Sequence, residues 1–332
     1  MRAVSFEAAG EVAVRELPEP VAGPGEALVA PRYVGLCGTD LELLEGTMPY
    51  FAEGAAWYPL QPGHEVAGVV VEAPEGAPGP GTPVLLNPIA GCGACDACRA
   101  GWVAQCPRLR TIGVRDGMPG GAAELLAIPA ANLLELPAGL SPRDAVLAEP
   151  GVTALAAIRS AGVRAGMRAL VVGAGTLGAI AAQILRHEGA EVDVLIVEPE
   201  RRPFVESLGA RAVERAQPRG YDVVLEFAGA AAAVRAAIDA VVPGGTVALA
   251  GVQPGPVDGV DVNAIVLSGL TVCGVTLPSD FPAMLELLAS GAVAVDPLLE
   301  RVYALEEAAD AYARLSDQTR ERPKLMLRVG DD

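Results

Sequence analysis

The chain lacks several features that would place a protein in a class at once. No apolar run approaches the length that crosses a bilayer, and the N-terminus, MRAVSFEAAGEVAVREL, has no continuous apolar stretch of the kind found in a signal peptide. No low-complexity tract indicates disorder, since the 39 glycines and 28 prolines are scattered. These absences predict a globular, cytoplasmic protein without a membrane partner, and 332 residues are enough for two domains.

Positive charge is also scarce. The formal net charge is −17, which makes long-range attraction to nucleic acid or to an anionic membrane unfavourable. A phosphate-bearing ligand must therefore be bound by local dipoles and a few arginines. Only one of the 24 basic residues, Lys324, is a lysine. We interpret this imbalance as codon usage, and it predicts no chemistry.

Four of the six cysteines lie in one short stretch, GCGACDACRAGWVAQCP. In a reducing compartment, clustered cysteines more often bind a metal than form disulfides. Four thiolates suit tetrahedral zinc and leave no open position, so the ion would be structural. An iron–sulfur cluster is the main alternative, but ferredoxin spacing has three residues before the last cysteine and this stretch has seven. Two disulfides are the third interpretation. The spacing C-x2-C-x2-C-x7-C favours a structural zinc held by Cys92, Cys95, Cys98 and Cys106.

The pattern of predicted secondary structure changes at about residue 148. Short strand-like segments and turns precede this point, and an alternation of buried strands and helices follows it, which predicts a parallel sheet covered by helices. A G-x-G-x-x-G motif lies between the first such strand and its helix, with Glu198 twenty residues further on. This context predicts a dinucleotide site whose residues are Gly173, Gly175, Thr176, Leu177, Gly178 and Glu198.

The carboxylate of Glu198 favours NAD, because it can accept hydrogen bonds from the adenosine ribose and repels a 2′-phosphate. Arg201 and Arg202 follow closely and could instead bind that phosphate or cover the adenine. The sequence therefore predicts NAD in preference to NADP.

A second metal site needs ligands outside the four-cysteine stretch. Cys37 lies in GLCGTD and His64 in GHEVAGVV, and a histidine of this kind taken alone is more often structural. These two segments, the four cysteines, LAEPGVTAL around Glu149 and VVGAGTLG occur in an order that resembles the zinc-dependent medium-chain dehydrogenase/reductase family over essentially the whole chain. The polyol, sugar and threonine dehydrogenase branch is the most similar.

The resemblance implies an α/β fold with two domains. A GroES-like, β-rich catalytic domain would comprise residues 1–149 and 285–332, with the structural-zinc lobe at about 88–110. A Rossmann domain with a doubly wound parallel sheet would comprise residues 150–284. In the family the active site lies in the cleft between these domains, and its members are usually homodimers or homotetramers.

The resemblance also implies the roles of individual residues. Cys37, His64 and Glu149 would bind a catalytic zinc, giving two zinc ions per chain, and Glu65 would be an alternate ligand. Taken without the family, Glu149 is a helix-flanking carboxylate. The other implied roles are a substrate hydrogen bond for Thr39, orientation of the zinc ligands for Asp40, proton relay for Glu42 in place of the usual histidine, and contact with the nicotinamide for Thr153.

These expectations combine into an enzymatic function. A zinc ion with one open position acts as a Lewis acid toward an alcohol or a carbonyl, and a nicotinamide exchanges the hydride. The predicted activity is hydride transfer between NAD and a secondary alcohol of a sugar, polyol or aminocyclitol. The alternatives are a simple secondary-alcohol or threonine-type dehydrogenase, a zinc-free reductase of the same fold, and a non-catalytic NAD-binding protein.

Overall fold

Alternating apolar and polar residues in the first 149 residues form short strands, as a sheet with one buried face requires. The computed structural model describes residues 1–252, 255–275, 280–317 and 319–330. The first segment contains strands β1 (Arg2–Ala8), β2 (Glu11–Glu16), β3 (Glu26–Leu36), β4 (Glu65–Glu72), β5 (Pro83–Leu86), β6 (Ile89–Ala90), β7 (Arg110–Thr111), β8 (Leu126–Pro129) and β9 (Leu133–Glu135). Its helices are short: α1 (Gly38–Glu45), α2 (Pro49–Ala52), α3 (Asp96–Arg99) and α4 (Pro142–Ala145).

The second segment alternates buried strands with helices. The strands are near-continuous apolar runs, as expected of a sheet covered on both faces. They are β10 (Arg168–Val172), β11 (Glu191–Leu195), β12 (Arg211–Val213), β13 (Tyr221–Glu226), β14 (Val241–Leu249) and β15 (Thr271–Gly274). The helices are α5 (Ala148–Ala161), α6 (Thr176–His187), α7 (Arg202–Ser207), α8 (Ala231–Ala240), α9 (Val262–Ser268) and α10 (Phe281–Ala289).

The chain then returns to the first segment through β16 (Leu299–Ala304), α11 (Ala308–Ser316) and β17 (Lys324–Arg328). One compact unit contains Met1–Glu149, Leu299–Arg320 and Lys324–Asp332, and the other contains Pro150–Leu298 and Glu321–Pro323. The return therefore begins at Leu299, whereas the sequence analysis placed it at residue 285. The difference arises because α10 belongs to the second unit, where Met284 fills the space left beside Gly151.

The first unit is built on a seven-stranded sheet in the order β16-β17-β3-β4-β5-β9, with β8 also paired to β3. Strand β17 is antiparallel to β3 and places Leu325 opposite Leu36. Strand β4 is antiparallel to β3 on its other side and places Glu65 opposite Gly35. The ends of three neighbouring strands therefore meet at one point, although they are far apart in the sequence.

The second unit has a six-stranded sheet in the order β12-β11-β10-β13-β14-β15, and every pair in it is parallel. This is the doubly wound order. Successive strands are added toward one edge of the sheet from β10 to β12, and toward the opposite edge from β13 to β15. The prediction of a mixed α/β fold with a doubly wound parallel sheet is confirmed. None of the described helices combines the length and the apolar character needed to cross a bilayer.

Candidate active site

Cys37 and His64 are brought together by the pairing of β3 with β4. Cys37 directly follows β3 and begins α1, and His64 directly precedes β4. The Sγ atom of Cys37 lies 3.1 Å from Nε2 of His64. The two side chains therefore present a sulfur and a ring nitrogen to the same small space.

Asp40 contacts both residues. It is fully buried on the first turn of α1, where its Oδ2 accepts a hydrogen bond from the backbone N–H of Cys37 at 2.9 Å. Its Oδ1 lies 3.4 Å from Nδ1 of His64. A carboxylate on the remote nitrogen leaves the lone pair of Nε2 free for a metal, which is the usual arrangement of a metal-binding histidine.

The groups around His64 are negatively charged and would stabilise a cation. Burial alone would lower the pKa of His64, but the charges of Cys37 and Asp40 outweigh it and raise that pKa well above its usual range. The negative groups around His64 thus favour a positive charge at this position.

Glu65 lies beside the same cluster and is paired with Lys324. Ligand atoms of Cys37, His64 and Glu65 all lie within 4.8 Å of one another. The carboxylate of Glu65 also accepts a hydrogen bond from Nζ of Lys324, and both side chains are almost completely buried. The interpretation of Lys324 as codon usage without chemistry is wrong, because its ammonium pairs with this buried carboxylate. Its isolation as the only lysine in an arginine-rich chain was the available signal.

Glu149 stands on the first turn of α5 and faces the same charges. Its pKa is raised to about 7 by burial, which outweighs the opposite influence of His64, while the negative charge of Glu65 raises it further. Within the described residues its carboxylate has no hydrogen-bond or ion-pair partner. Glu149 is not one of the three residues whose ligand atoms lie within 4.8 Å of each other. A cation at the cluster would give this carboxylate the partner that it lacks.

The remaining residues of the predicted site occupy different environments. Thr39 is half-buried on the first turn of α1, and Glu42 lies on the exposed side of that helix. Thr153 is half-buried on α5, in the second unit.

The side chains present suit zinc. Thiolate, imidazole and carboxylate are its usual protein ligands, and an excess of negative charge over positive charge in a buried cluster is what a divalent cation corrects. The unpartnered Nδ1 of His64 and Oδ1 of Asp40 face each other, so small movements on metal binding would pair them.

The four clustered cysteines form a second group. They are all free thiols, and their sulfur atoms lie within 4.8 Å of one another, with Cys92 and Cys98 4.0 Å apart. Tetrahedral bonds of about 2.3 Å would place two sulfurs about 3.8 Å apart. Backbone N–H groups point at the sulfurs, and those of Ala94 and Cys95 lower the pKa of Cys92 to about 5. The disulfide interpretation is excluded, and a four-cysteine metal site is present.

The glycine-rich turn lies between β10 and α6. Gly173 has a φ of 107°, which favours glycine, and a Cβ on Gly178 would collide with the carbonyl oxygen of Gly173. A Cβ on Gly175 would meet nothing within 4 Å. Gly175 precedes the first residues of α6, Thr176 and Leu177, so the space beside it is open at a helix N-terminus, where an anion is stabilised.

The polar residues that follow β11 are exposed to different degrees. Glu198 is exposed and lies beyond Leu195, the last residue of the strand. Arg202 donates hydrogen bonds to the carbonyl oxygen of Ala212 and the carboxylate of Glu214. Arg201 retains one buried nitrogen, Nη1, without a hydrogen-bond partner.

Sequence reasoning missed Glu226, which ends β13 next to the glycine-rich turn. It is fully buried, its Oε1 accepts the N–H of Gly229 at 2.8 Å, and its Oε2 has no partner. A Cβ on Gly251 would lie 2.7 Å from that oxygen. Glu226 therefore holds together the loops that follow β13 and β14. A buried carboxylate at a strand end carries no motif by which a sequence would show it.

Comparison with known proteins agrees with this geometry. Residues 23–138 match the alcohol dehydrogenase GroES-like domain, and residues 176–290 match the zinc-binding dehydrogenase family. L-threonine 3-dehydrogenase of Pyrococcus abyssi is 34% identical over 308 residues, which is 87% of each chain. L-galactonate-5-dehydrogenase of Escherichia coli is 32% identical and covers 90% of each chain.

The fold is also found among solved structures. A protein from Sinorhizobium meliloti 1021, solved with bound NADP, superposes with a TM-score of 0.90, shares 30% identity and covers 98% of each chain. A GroES-like unit, a doubly wound nucleotide-binding sheet and relatives that are named dehydrogenases lead to one assignment. The chain belongs to the zinc-dependent medium-chain dehydrogenase/reductase family and is an oxidoreductase.

Proposed function

We propose that this enzyme oxidises a secondary alcohol of a polyhydroxylated substrate, using a zinc ion bound by Cys37, His64 and Glu149, and transfers the hydride to NAD. The observation that carries the proposal is the cluster itself. A thiol and an imidazole lie 3.1 Å apart, and a buried aspartate accepts the backbone N–H of Cys37 and lies 3.4 Å from His64. The glutamate at position 149 is buried near the same charges.

Glu149, rather than Glu65, is the better third ligand. The charge of Glu65 is already neutralised by Lys324, whereas Glu149 is desolvated and has no hydrogen-bond or ion-pair partner among the described residues. Binding zinc through Glu149 would relieve that unfavourable burial. It would also leave a total of three protein ligands and one exchangeable position, which a catalytic zinc requires.

The bound ion would supply a Lewis acid for the substrate oxygen. The residues of the chain would orient the metal ligands and move the proton. Asp40 holds His64 in the tautomer that exposes Nε2, and it holds Cys37 through its backbone N–H. Thr39, two residues after Cys37, would accept a hydrogen bond from the substrate hydroxyl. As the substrate proton moves onto Thr39, the hydroxyl proton of Thr39 would pass to exposed Glu42 or to solvent.

The substrate class follows from the third ligand and from the relatives. A glutamate at this position resembles the polyol, sugar and threonine dehydrogenase branch, and two relatives are named L-threonine 3-dehydrogenase and L-galactonate-5-dehydrogenase. In both named substrates the hydroxyl-bearing carbon is next to a carbon that carries an amino or a hydroxyl group. A secondary alcohol with polar neighbours, as in a sugar acid, polyol or aminocyclitol, is therefore the proposed substrate.

The preference for NAD rests on Glu198, whose exposed carboxylate would pair with the ribose hydroxyls. The opposite preference would need a cation for the 2′-phosphate. Arg202 is engaged by Glu214, so Arg201 with its unpartnered nitrogen would have to serve. Assays with NAD and NADP in parallel distinguish the two.

The test is a panel of sugars, sugar acids, polyols, cyclitols, simple secondary alcohols and threonine, followed by absorbance of the reduced nicotinamide. With a substrate identified, Cys37→Ser and His64→Ala should abolish turnover and remove one of two zinc ions per chain. Cys273→Ser is the matched control, because it removes a thiol outside both clusters. Turnover that survives in metal-free Cys37→Ser protein would contradict the proposal.

A further inference from the structure

Lys324 is an unusual residue in this chain. It is the only lysine and is completely buried, although burying an ammonium is unfavourable by several kcal/mol unless it is well paired. Its Nζ donates to the carboxylate of Glu65 and, at 3.1 Å, to the carbonyl oxygen of Leu36. These partners flank the two metal-binding side chains, since Leu36 precedes Cys37 and Glu65 follows His64.

The fold reserves space for this pair. In the register of β17, β3 and β4, Gly35 lies between Met326 and Glu65. A Cβ at Gly35 would collide with the carboxylate of Glu65 and would lie 2.9 Å from Cε of Lys324. Only glycine leaves room there, so the two charged side chains meet over a position without a side chain.

Glu65 pairs with one cation, Lys324, and lies close enough to Cys37 and His64 to reach a second, a metal ion bound there. Its carboxylate can share one metal ion with Cys37 and His64, and it is the same carboxylate that pairs with Lys324. A carboxylate held by an ammonium on one side is a weaker ligand for an ion on the other, because the ammonium already neutralises its charge. Lys324 therefore competes with the metal for Glu65.

We propose that Lys324 is a positioning residue that keeps the Glu65 carboxylate off the metal, so that the ion bound by Cys37, His64 and Glu149 retains a coordination position for substrate. The inference rests on the proposed function. A free Glu65 would complete a closed shell of four protein ligands, which is the arrangement of a structural zinc. The register that places β17 beside β3 thus links the C-terminal return of the chain to the reactivity of the metal centre.

The test uses the full chain loaded with Co²⁺ and measures imidazole binding by the visible absorption spectrum, without turnover. Imidazole requires an exchangeable position, so it reports on the proposed centre and not on the closed four-cysteine site. Wild-type protein should bind imidazole. Lys324→Met, which keeps the length of the side chain and removes its charge, should bind it about tenfold or more weakly, because Glu65 takes the position.

The second variant separates positioning from a structural role. In the double variant Lys324→Met/Glu65→Gln the buried pair is neutral, which folded proteins tolerate, and a neutral amide is a weak ligand for the ion. It should recover imidazole binding to within about threefold of wild type. If Lys324→Met does not fold, this double variant alone decides, because loss of imidazole binding in it would overturn the proposal.

The outcomes are distinct from those of the proposed function. If wild-type Co²⁺ protein binds no imidazole, the metal centre itself is wrong. If wild type binds it and Lys324→Met binds it equally well, the centre stands and the positioning role of Lys324 is overturned. If Lys324→Met is impaired and the double variant remains equally impaired, Lys324 acts by some means other than Glu65, which also overturns the inference.

Discussion

At the scale of single residues, a buried carboxylate determines the geometry of the cluster. Asp40 has no exposure to solvent and contacts Cys37 with one oxygen and His64 with the other. Ligands held in this way lose little conformational freedom when an ion binds, and outer partners of this kind typically affect metal affinity or activity by about 10–100-fold. The position of Asp40, three residues after Cys37 on one helical turn, makes both contacts compatible.

Replacing Asp40 with asparagine should therefore weaken zinc binding at this cluster by about tenfold or more. The amide cannot offer two anionic oxygens, so it loses either the Cys37 N–H or the His64 contact. Competition with a chromophoric chelator gives the dissociation constant. Glu45→Gln, an exposed change on the same helix, is the control and should have wild-type affinity. Equal affinities for the two variants would show that Asp40 does not orient the ligands.

The residues of this cluster differ in how visible they are in the sequence. Cys37 and His64 stand in recognisable segments, and the family they indicate is confirmed. Lys324 stands out only as the single lysine, and nothing local links it to Glu65, which lies 259 residues away. The pairing of β17 with β3 and of β3 with β4 brings the two residues together. A charge whose function depends on a long-range strand register cannot be found from local pattern.

At the scale of elements, different glycines in the turn between β10 and α6 serve helix packing and ligand binding. Gly178 is in contact with the carbonyl oxygen of Gly173, so a side chain there would push α6 away from the sheet. Gly175 has open space beside it and a φ of −81°, which any residue adopts. Glycine therefore serves two different purposes in one motif: close packing of α6 at position 178 and open space for a ligand at position 175.

Alanine at position 178 should mainly affect stability, and alanine at position 175 should mainly affect cofactor binding. Gly178→Ala should destabilise the fold by about 1–3 kcal/mol, because the added methyl group overpacks the helix–strand contact. Gly175→Ala should cost less, about 0.5–1 kcal/mol, because alanine is a poorer N-cap than glycine. It should also weaken NAD binding, because the methyl group occupies the space for the phosphates. Urea denaturation and calorimetric titration with NAD measure the two quantities. Equal loss of stability in both variants would contradict this assignment.

The six-stranded sheet is also held by a polar contact near the amino ends of β12 and β13. Tyr221 on β13 donates a hydrogen bond to Asp193 on β11 at 2.7 Å, and Arg211 on β12 contacts the same carboxylate. Burial and the hydrogen bond to Asp193 raise the pKa of Tyr221 to about 12. The folded state therefore holds the phenol proton more tightly than the unfolded chain, where the pKa is about 10.

Stability from this contact should be complete below pH 10 and should be lost as the pH rises toward 12. Tyr221→Phe should reduce the free energy of unfolding by about 1.5–3 kcal/mol at pH 7, because it removes a hydrogen bond to a charged group. It should also flatten the decline above pH 10. Urea unfolding of both proteins at pH 7, 9 and 11 gives the comparison, and parallel declines would show that Tyr221 does not contribute.

At the scale of the whole molecule, the order of segments along the chain is the main result. The two-unit, mixed α/β organisation follows from the change of pattern near residue 148, and the sequence shows it well. The return to the first unit was placed too early because α10 has the composition of either unit. Its buried face, which includes Phe281, Met284 and Leu288, is assigned only by what it packs against. A helix of nine residues does not carry that information in its own pattern.

The central claim is that a metal ion is bound by Cys37, His64 and Glu149, and locating that ion tests it most directly. Anomalous diffraction at the zinc edge from crystals of the zinc-loaded protein should give two peaks per chain. One should lie among the four clustered cysteines. The other should lie within about 2.0–2.3 Å of Sγ of Cys37, Nε2 of His64 and a carboxylate oxygen of Glu149, with Glu65 still on Lys324. A missing second peak, or one bound by Glu65 with Glu149 turned away, would contradict the account.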